Sequence, residues 1–224
     1  MTHALTLKKI ESVTPDTHHL VFDRPDGLSF EPGQAVDMAL DRDGWRDEKR
    51  PFTFVNLPSS DTLEFVIKSY PDHDGVTKRI GDMTPGDRVL VDDPWGAIED
   101  EGPGWFIAGG AGVTPFVAIL RKRLKEKGSL DGCTLIFSNQ TEEDIILRDE
   151  FEAMPGLRCV FTVTDEKVDG LEHRQIDRAF LKDYIEPARG IYYICGPEPM
   201  IEDVTAALRD LGVDAQRIVV EDLD

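Results

Sequence analysis

Three short stretches carry residue types that chemistry can use. The first, Gly109-Gly110-Ala111-Gly112-Val113-Thr114, ends the apolar run Trp105 to Ala108 and is followed by Pro115 and a helical pattern. Glycines at these positions let backbone amides approach an anion with no Cβ in the way. Thr114 is placed to cap the helix and Pro115 to occupy its first turn. A helix start attracts phosphate through its dipole and its unpaired donors, so the fitting guest is a nucleotide. The spacing differs from the GxGxxG fingerprint, and a glycine-rich turn with no ligand is the plain alternative. The second stretch is Arg50-Pro51-Phe52-Thr53. On a strand, Arg50 and Phe52 share a face, so a planar cation and a flat ring address different parts of one ligand, while Thr53 needs a bulge or twist to join them. The alternative is a solvated strand end beside a core phenylalanine. The third is Cys195-Gly196-Pro197-Glu198-Pro199-Met200, which sets a thiol at the end of another apolar run.

Composition limits the chemistry. Lys and Arg total 25 against 44 Asp and Glu, a net charge of -19 spread along the chain rather than gathered in a tail. Such a surface opposes nonspecific binding to nucleic acid and to anionic membranes. It suits both the solvation of a soluble protein and the steering of a basic redox partner. No apolar run approaches the ~20 residues that cross a bilayer, and no signal-peptide core follows Met1, so the expected location is the cytoplasm. Cys133, Cys159 and Cys195 have no cluster-binding spacing, and the five histidines include no HxxxH pair. No metal and no four-thiolate iron–sulfur cluster is expected from one copy of the chain.

The elements that position these residues follow from periodicity. At 224 residues the chain suits two domains. In the first half, six runs with a period near two read as strands: Leu5 to Ile10, His19 to Phe22, Ala35 to Leu40, Phe52 to Val55, Leu63 to Ile67 and Arg88 to Val91. A short helix is expected over Val76 to Met83. Six short strands without long helices imply a small antiparallel barrel. After Ile98 to Gly104 the period changes. Strands at Trp105 to Ala108, Cys133 to Ser138, Arg158 to Val163, Ile191 to Cys195 and Ile218 to Val220 alternate with helices at Pro115 to Lys127, Ile145 to Ala153, Asp177 to Asp183 and Pro199 to Leu211. That alternation implies a parallel sheet covered on both faces, with ligands at its carboxyl ends. The fold expected is a two-domain α+β protein, a six-stranded antiparallel barrel over 1–99 and an α/β nucleotide-binding domain over 100–224.

In order along the chain, Phe30-Glu31-Pro32-Gly33-Gln34, Arg50-Pro51-Phe52-Thr53, Gly75-Val76-Thr77, Pro85-Gly86-Asp87, the 109–114 loop and Cys195-Gly196-Pro197 with Met200 resemble the ferredoxin–NADP reductase superfamily over nearly the whole sequence. The resemblance implies FAD held by the barrel, with Arg50 on its phosphate, Pro51 and Phe52 against the isoalloxazine and Thr53 near N5. It places Gly75, Val76 and Thr77 at the flavin pyrophosphate, and Ile67, Lys68 and Tyr70 along flavin or dinucleotide. Asp74 departs from the pattern, standing where relatives often carry a first glycine, and must turn outward to spare a phosphate.

In the second half the resemblance assigns Gly109, Gly110, Gly112, Val113 and Thr114 to the dinucleotide phosphates and Cys195, Gly196, Pro197 and Met200 to the nicotinamide. Ser138-Asn139 resembles the cytochrome b5 reductase and nitrate reductase branch. Relatives that prefer NADPH tend to carry a cation after the serine, whereas Asn139 is followed here by Glu142, Glu143 and Asp144. NADH is therefore the expected donor, with NADPH possible. Thr141 and Asp144 also suit a helix cap. Many relatives end in an aromatic residue that shields the flavin. Here the end is Glu221-Asp222-Leu223-Asp224, with Glu221 the remaining candidate near the ring. Thr53, Cys195 and Glu221 are the expected catalytic positions of a FAD-dependent NAD(P)H reductase. The acceptor expected is a ferredoxin, a flavodoxin, a haem protein or a small molecule. Reduction of free flavin or ferric iron, and a role as the electron-transfer subunit of a larger complex, remain the alternatives.

Overall fold

The computed structural model describes residues 1–70, 74–96 and 98–220. Its first half holds strands β1 (His3–Thr14), β2 (Thr17–Asp23), β3 (Ala35–Leu40), β4 (Arg50–Thr53), β5 (Thr62–Lys68) and β6 (Arg88–Val91), with one short helix, α1 (Val76–Gly81). The sheet order is β4-β3-β6-β1-β2-β5, with antiparallel neighbours. β1 is twice as long as the expected run because it serves both ends of the curl. His3 to Thr6 pair with β6, and Leu7 to Thr14 pair with β2 through two register shifts. Such bulges add the bend and twist that a small barrel needs. Beyond β4 the chain turns so that Phe54 bridges Phe65 of β5, bringing the two sheet edges together. Phe22, Phe30, Phe54 and Phe65 fill the interior with Leu5, Leu20, Met38 and Val89.

The second half is a parallel sheet in the order β11-β10-β7-β8-β9, formed by β7 (Gly104–Gly109), β8 (Thr134–Asn139), β9 (Arg158–Val163), β10 (Ile191–Cys195) and β11 (Ile218–Val220). Alternation decides which face each residue joins. Phe106, Ala108, Leu135, Phe137 and Tyr193 pack with α2 (Thr114–Lys127) and α3 (Arg148–Ala153). Ile107, Ile136, Tyr192 and Ile194 pack with α4 (Arg178–Tyr184) and α5 (Glu198–Asp210). Burial on both faces is why these strands read as continuous apolar runs.

Several boundaries differ from expectation for local reasons. β4 is two residues earlier than the apolar run suggested, because residues 50–53 pair with β3 while Phe54 turns into the core. α1 stops at Gly81, with Met83 buried beyond it. The helix expected from Ile145 begins only at Arg148. Thr141 and Asp144 form a reciprocal capping box, but on a single 3-10 turn, Glu142 to Asp144. Leu147 then takes a left-handed φ of 54° before the helix starts.

Candidate active site

A cleft of about 830 Å³ lies where the barrel meets the carboxyl ends of β7, β8 and β10. Its barrel wall is Pro51, Phe52 and Thr53 from β4, Val66, Ile67 and Lys68 from β5, then Tyr70 and Thr77. Its opposite wall is Gly109 to Gly112 with Thr114, Ser138 to Gln140, and the loop Cys195 to Pro197 with Pro199 and Met200. Thr53 and Cys195, 142 positions apart in sequence, thus line one space from different halves; both are nearly buried, at 6% and 3% exposure.

On the nucleotide side, the loop Gly110 to Val113 is a 3-10 turn running directly into α2. Thr114 is the first helical residue rather than its cap, and its hydroxyl turns back to donate to the Ala111 carbonyl at 3.0 Å. No side chain caps the start of α2, and Pro115 occupies its first turn. Because the turn and helix are continuous and the Thr114 N–H is bonded to the Ala111 carbonyl, the amide donors offered to an anion are those of the first residues of the turn. The glycines divide the work differently from expectation. A Cβ on Gly112 would lie 2.4 Å from the Cys195 carbonyl oxygen, and one on Gly109 would lie 2.4 Å from the Met200 Sδ. Those two glycines are needed for packing, because the Cys195 loop occupies their space. Gly110 alone faces an open approach, with nothing within 4 Å of a Cβ and a left-handed φ of 52°.

On the barrel side, Phe52 is half-buried and also packs on the barrel core, so one ring supports the wall and lines the cleft. Lys68 reaches across the cleft's edge. Its ammonium lies 2.8 Å from Asp16 and 3.6 Å from Asp144 in the nucleotide half. Burial pushes the Lys68 pKa down, but the hydrogen bond and charge of Asp16 outweigh it and hold the group above the ordinary lysine value. Asp16 mirrors this: burial raises its carboxyl, and Lys68 with Thr14 and Thr17 brings it below the usual range. The other Asp144 oxygen accepts from Thr141, closing the capping box. Of the three carboxylates that follow Asn139, Asp144 is therefore already engaged with Lys68 and Thr141.

The cleft omits four of the expected contacts. Arg50 is exposed, donates to the Lys49 carbonyl at 2.6 Å, and does not line the cavity. Val76 and Val113 are buried in their domain cores, and Gly75 lies outside the lining. Any part these four play is through backbone groups or from the rim. Asp74 turns outward, 71% exposed, and is tied to Arg79 at 2.9 Å, which meets the condition for sparing a phosphate. Glu221 lies outside the described residues. Sequence reasoning missed Thr164, Gln175, Ile176 and Asp203. Gln175 and Ile176 arrive because the chain after β9 doubles back, Glu172 bridging Thr162 beside the sheet edge. No spacing signals that return, although Asp203, three residues past Met200 on α5, was legible from helical periodicity.

The cleft fits a flavin and a dinucleotide on its own features. The Asn139 amide nitrogen is buried in the lining with no partner among the described residues. An unpaired buried donor costs about 1–3 kcal/mol, which a ligand oxygen at that place relieves. Gly110 leaves backbone open to a phosphate, and Pro51 and Phe52 provide a flat apolar wall. Among the described residues there is no group of acidic, histidine and cysteine side chains able to hold a metal, and no helix is long and apolar enough to cross a membrane.

Comparison with known proteins adds an independent observation. The family described as "Oxidoreductase FAD-binding domain" matches residues 4–99, and "Oxidoreductase NAD-binding domain" matches 106–206. NADH-cytochrome b5 reductase 2 of Mycosarcoma maydis is 29% identical, the match covering 89% of this chain and 63% of that protein. The toluate 1,2-dioxygenase electron transfer component of Pseudomonas putida is 27% identical, covering 87% and 59%. The chain thus spans about three-fifths of these curated relatives. Among solved structures, the CS-b5R domains of human Ncb5or in the NAD+ form superpose with a TM-score of 0.87 at 27% identity, covering 98% of this chain and 69% of that one. A ferredoxin NADP+ reductase from Neisseria gonorrhoeae with bound FAD and NADP shares the fold, at a TM-score of 0.85 and 23% identity over 98% of both chains.

Proposed function

The chain belongs to the ferredoxin–NADP reductase superfamily, and on that premise we propose that it is an NADH-dependent FAD reductase passing electrons to a separate acceptor. One observation carries this reading. The Pro51-Phe52-Thr53 wall of the barrel and the Cys195 to Met200 loop of the parallel sheet line the same cleft. FAD held there would supply acceptance of a hydride from reduced nicotinamide and onward transfer of electrons.

The residues of this chain supply placement. Thr53 offers its hydroxyl inside the cleft, where it orients the flavin edge. Phe52 excludes water from one side, and Arg50 at the rim pairs with the flavin's phosphate. The start of α2 and the backbone at Gly110 hold the dinucleotide pyrophosphate, and Asn139 gives its unpaired amide to the ribose end. Cys195, held by the close approach of its carbonyl to Gly112, places the nicotinamide as a compact wall rather than as a nucleophile. Preference for NADH is supported by the lack, among the described residues, of an uncommitted cation in the lining, since Lys68 is engaged by two carboxylates. We place the boundary between the two working halves at residues 99 and 100. The acceptor is a ferredoxin, a flavodoxin, a haem protein or an oxygenase component.

Anaerobic titration tests cofactor and donor together. The flavin absorbance is expected to bleach fully with NADH and slowly with NADPH, and a panel of acceptors then restores it. Protein that carries no flavin and gains none on addition of FAD overturns the reading. Flavin that binds but exchanges freely during turnover shifts it to reduction of free flavin or of ferric iron.

A further inference from the structure

The two walls of the cleft sit on different domains, so something must set how they meet. Val55, two residues past Thr53, and Val66 of β5 are buried in the core of the nucleotide half rather than in that of the barrel. Apolar contact of this kind is non-directional and permits sliding. A directional tie lies beside it. Arg121 on α2 donates from Nη1 to the Val55 carbonyl at 2.7 Å, while its Nε and Nη2 donate to the two carboxylate oxygens of Glu150 on α3 at 2.6 and 2.8 Å. The guanidinium is thus fixed in a fork by its own domain and aimed at the other domain's backbone. Paired donors of that geometry hold orientation as well as distance.

The tie ends close to the chemistry on both sides. The Val55 carbonyl follows Thr53 after one intervening residue. α2 begins at the glycine loop that packs against Cys195, and its residues from Thr114 to Leu120 are buried, so Arg121 stands on a rigid rod. Among the described residues, Lys122 with Glu31 at 3.4 Å and Lys125 with Ser59 at 3.2 Å also join α2 to the barrel, but both contacts are exposed. The Arg121 side chain is only 27% exposed.

We infer that Arg121 is a positioning residue that sets the register between the Thr53 wall and the Cys195 wall, with Glu150 orienting it. This rests on the reductase reading, because register matters most where one half carries hydride donor and the other its acceptor. A misplacement of reacting atoms by about 1 Å can cost about a hundredfold in rate, so a smaller slip between the walls is expected to cost less, about tenfold.

The test has two readouts on the intact chain. Arg121→Met is expected to slow hydride transfer, seen as flavin bleaching by stopped flow, by about tenfold, with the Kd values for FAD and NADH within about twofold of wild type. Amide hydrogen exchange is expected to quicken at residues 53–57 and along the first turns of α2, and to stay unchanged in β2 and β9. Glu150→Gln, which still accepts one bond, falls between. Arg121→Lys, which keeps charge but not the fork, resembles Met; it also serves should the Met variant fold poorly. Exchange that does not change, or that changes while the rate stays at wild type, overturns the inference. If the wild-type protein is not bleached by NADH, the reductase reading fails, and the exchange data alone decide whether Arg121 holds the two halves in register.

Discussion

The two walls of the cleft are built on opposite principles. The nucleotide wall is close-packed glycine backbone, with Gly112 set against the Cys195 carbonyl and Gly109 against the Met200 side chain, in space that a side chain would fill. The barrel wall is side chains on a sheet edge, with Phe52 half-buried and Lys68 held between carboxylates, while Arg50 stands exposed outside the lining. At Gly112 the first tolerates no added atom, because interlocked backbone cannot retreat. The second tolerates substitution, because its groups can be removed without moving the strand that bears them.

The contrast breaks most readily at Gly112. Gly112→Ala is expected to lower reduction by NADH about a hundredfold, because the methyl displaces the Cys195 loop, and to cost about 1–3 kcal/mol of stability as overpacking does. Denaturant unfolding and stopped-flow bleaching measure the two effects. Unchanged bleaching would show that the loop yields, and the distinction between the walls would be lost. Gly110→Val probes the same wall where space is open but φ is positive; backbone strain of about 1–3 kcal/mol is expected, with slower bleaching and flavin retained.

Beside the barrel wall, Arg50→Ala is expected to weaken FAD binding by about tenfold, the loss of one charge-assisted contact, and to leave the melting temperature in place because Arg50 is exposed. Fluorescence titration of the apoprotein reads it. A variant that keeps flavin and loses NADH reduction instead would reverse the assignment of the two halves. The smallest effect concerns Asp16. Its carboxyl is held below the ordinary value, so its contribution is present above the unfolded carboxylate pKa of about 4 and is lost as pH falls through the lower folded value. Asp16→Asn is therefore expected to be less stable than wild type at neutral pH by about 1 kcal/mol or less, the gap closing in acid. A gap that persists in acid would assign the effect to packing.

The order of elements was legible because each half has one dominant period. Strand alternation in the barrel and apolar runs separated by helices in the second half survive any detail of packing. Boundaries were less legible where tertiary partners decide them. Residues 50–53 extend beside β3 although the apolar run starts at Phe52, and Leu147 bends the chain where the pattern suggested continuous helix. At the site, Pro51, Phe52, Thr53, Lys68, Tyr70, the glycine loop, Ser138, Asn139 and the Cys195 loop could be named from motif position, and the cavity gathers them. Gln175 and Ile176 could not, since their place depends on a return of the chain beside β9 that no local spacing encodes.

By itself the sequence determined the type of protein. Six alternating runs followed by strand–helix alternation admit few topologies, and the glycine and cysteine stretches at the ends of those runs belong to the lining of the cleft. Only the tertiary structure decided why each glycine is there, which carboxylates Lys68 satisfies, and how the halves are registered. Those depend on contacts between residues far apart in the chain, such as Gly112 with Cys195 and Arg121 with Val55. Short-range periodicity carries no information about such contacts, because close packing and directional hydrogen bonds form only between elements that the fold has brought together.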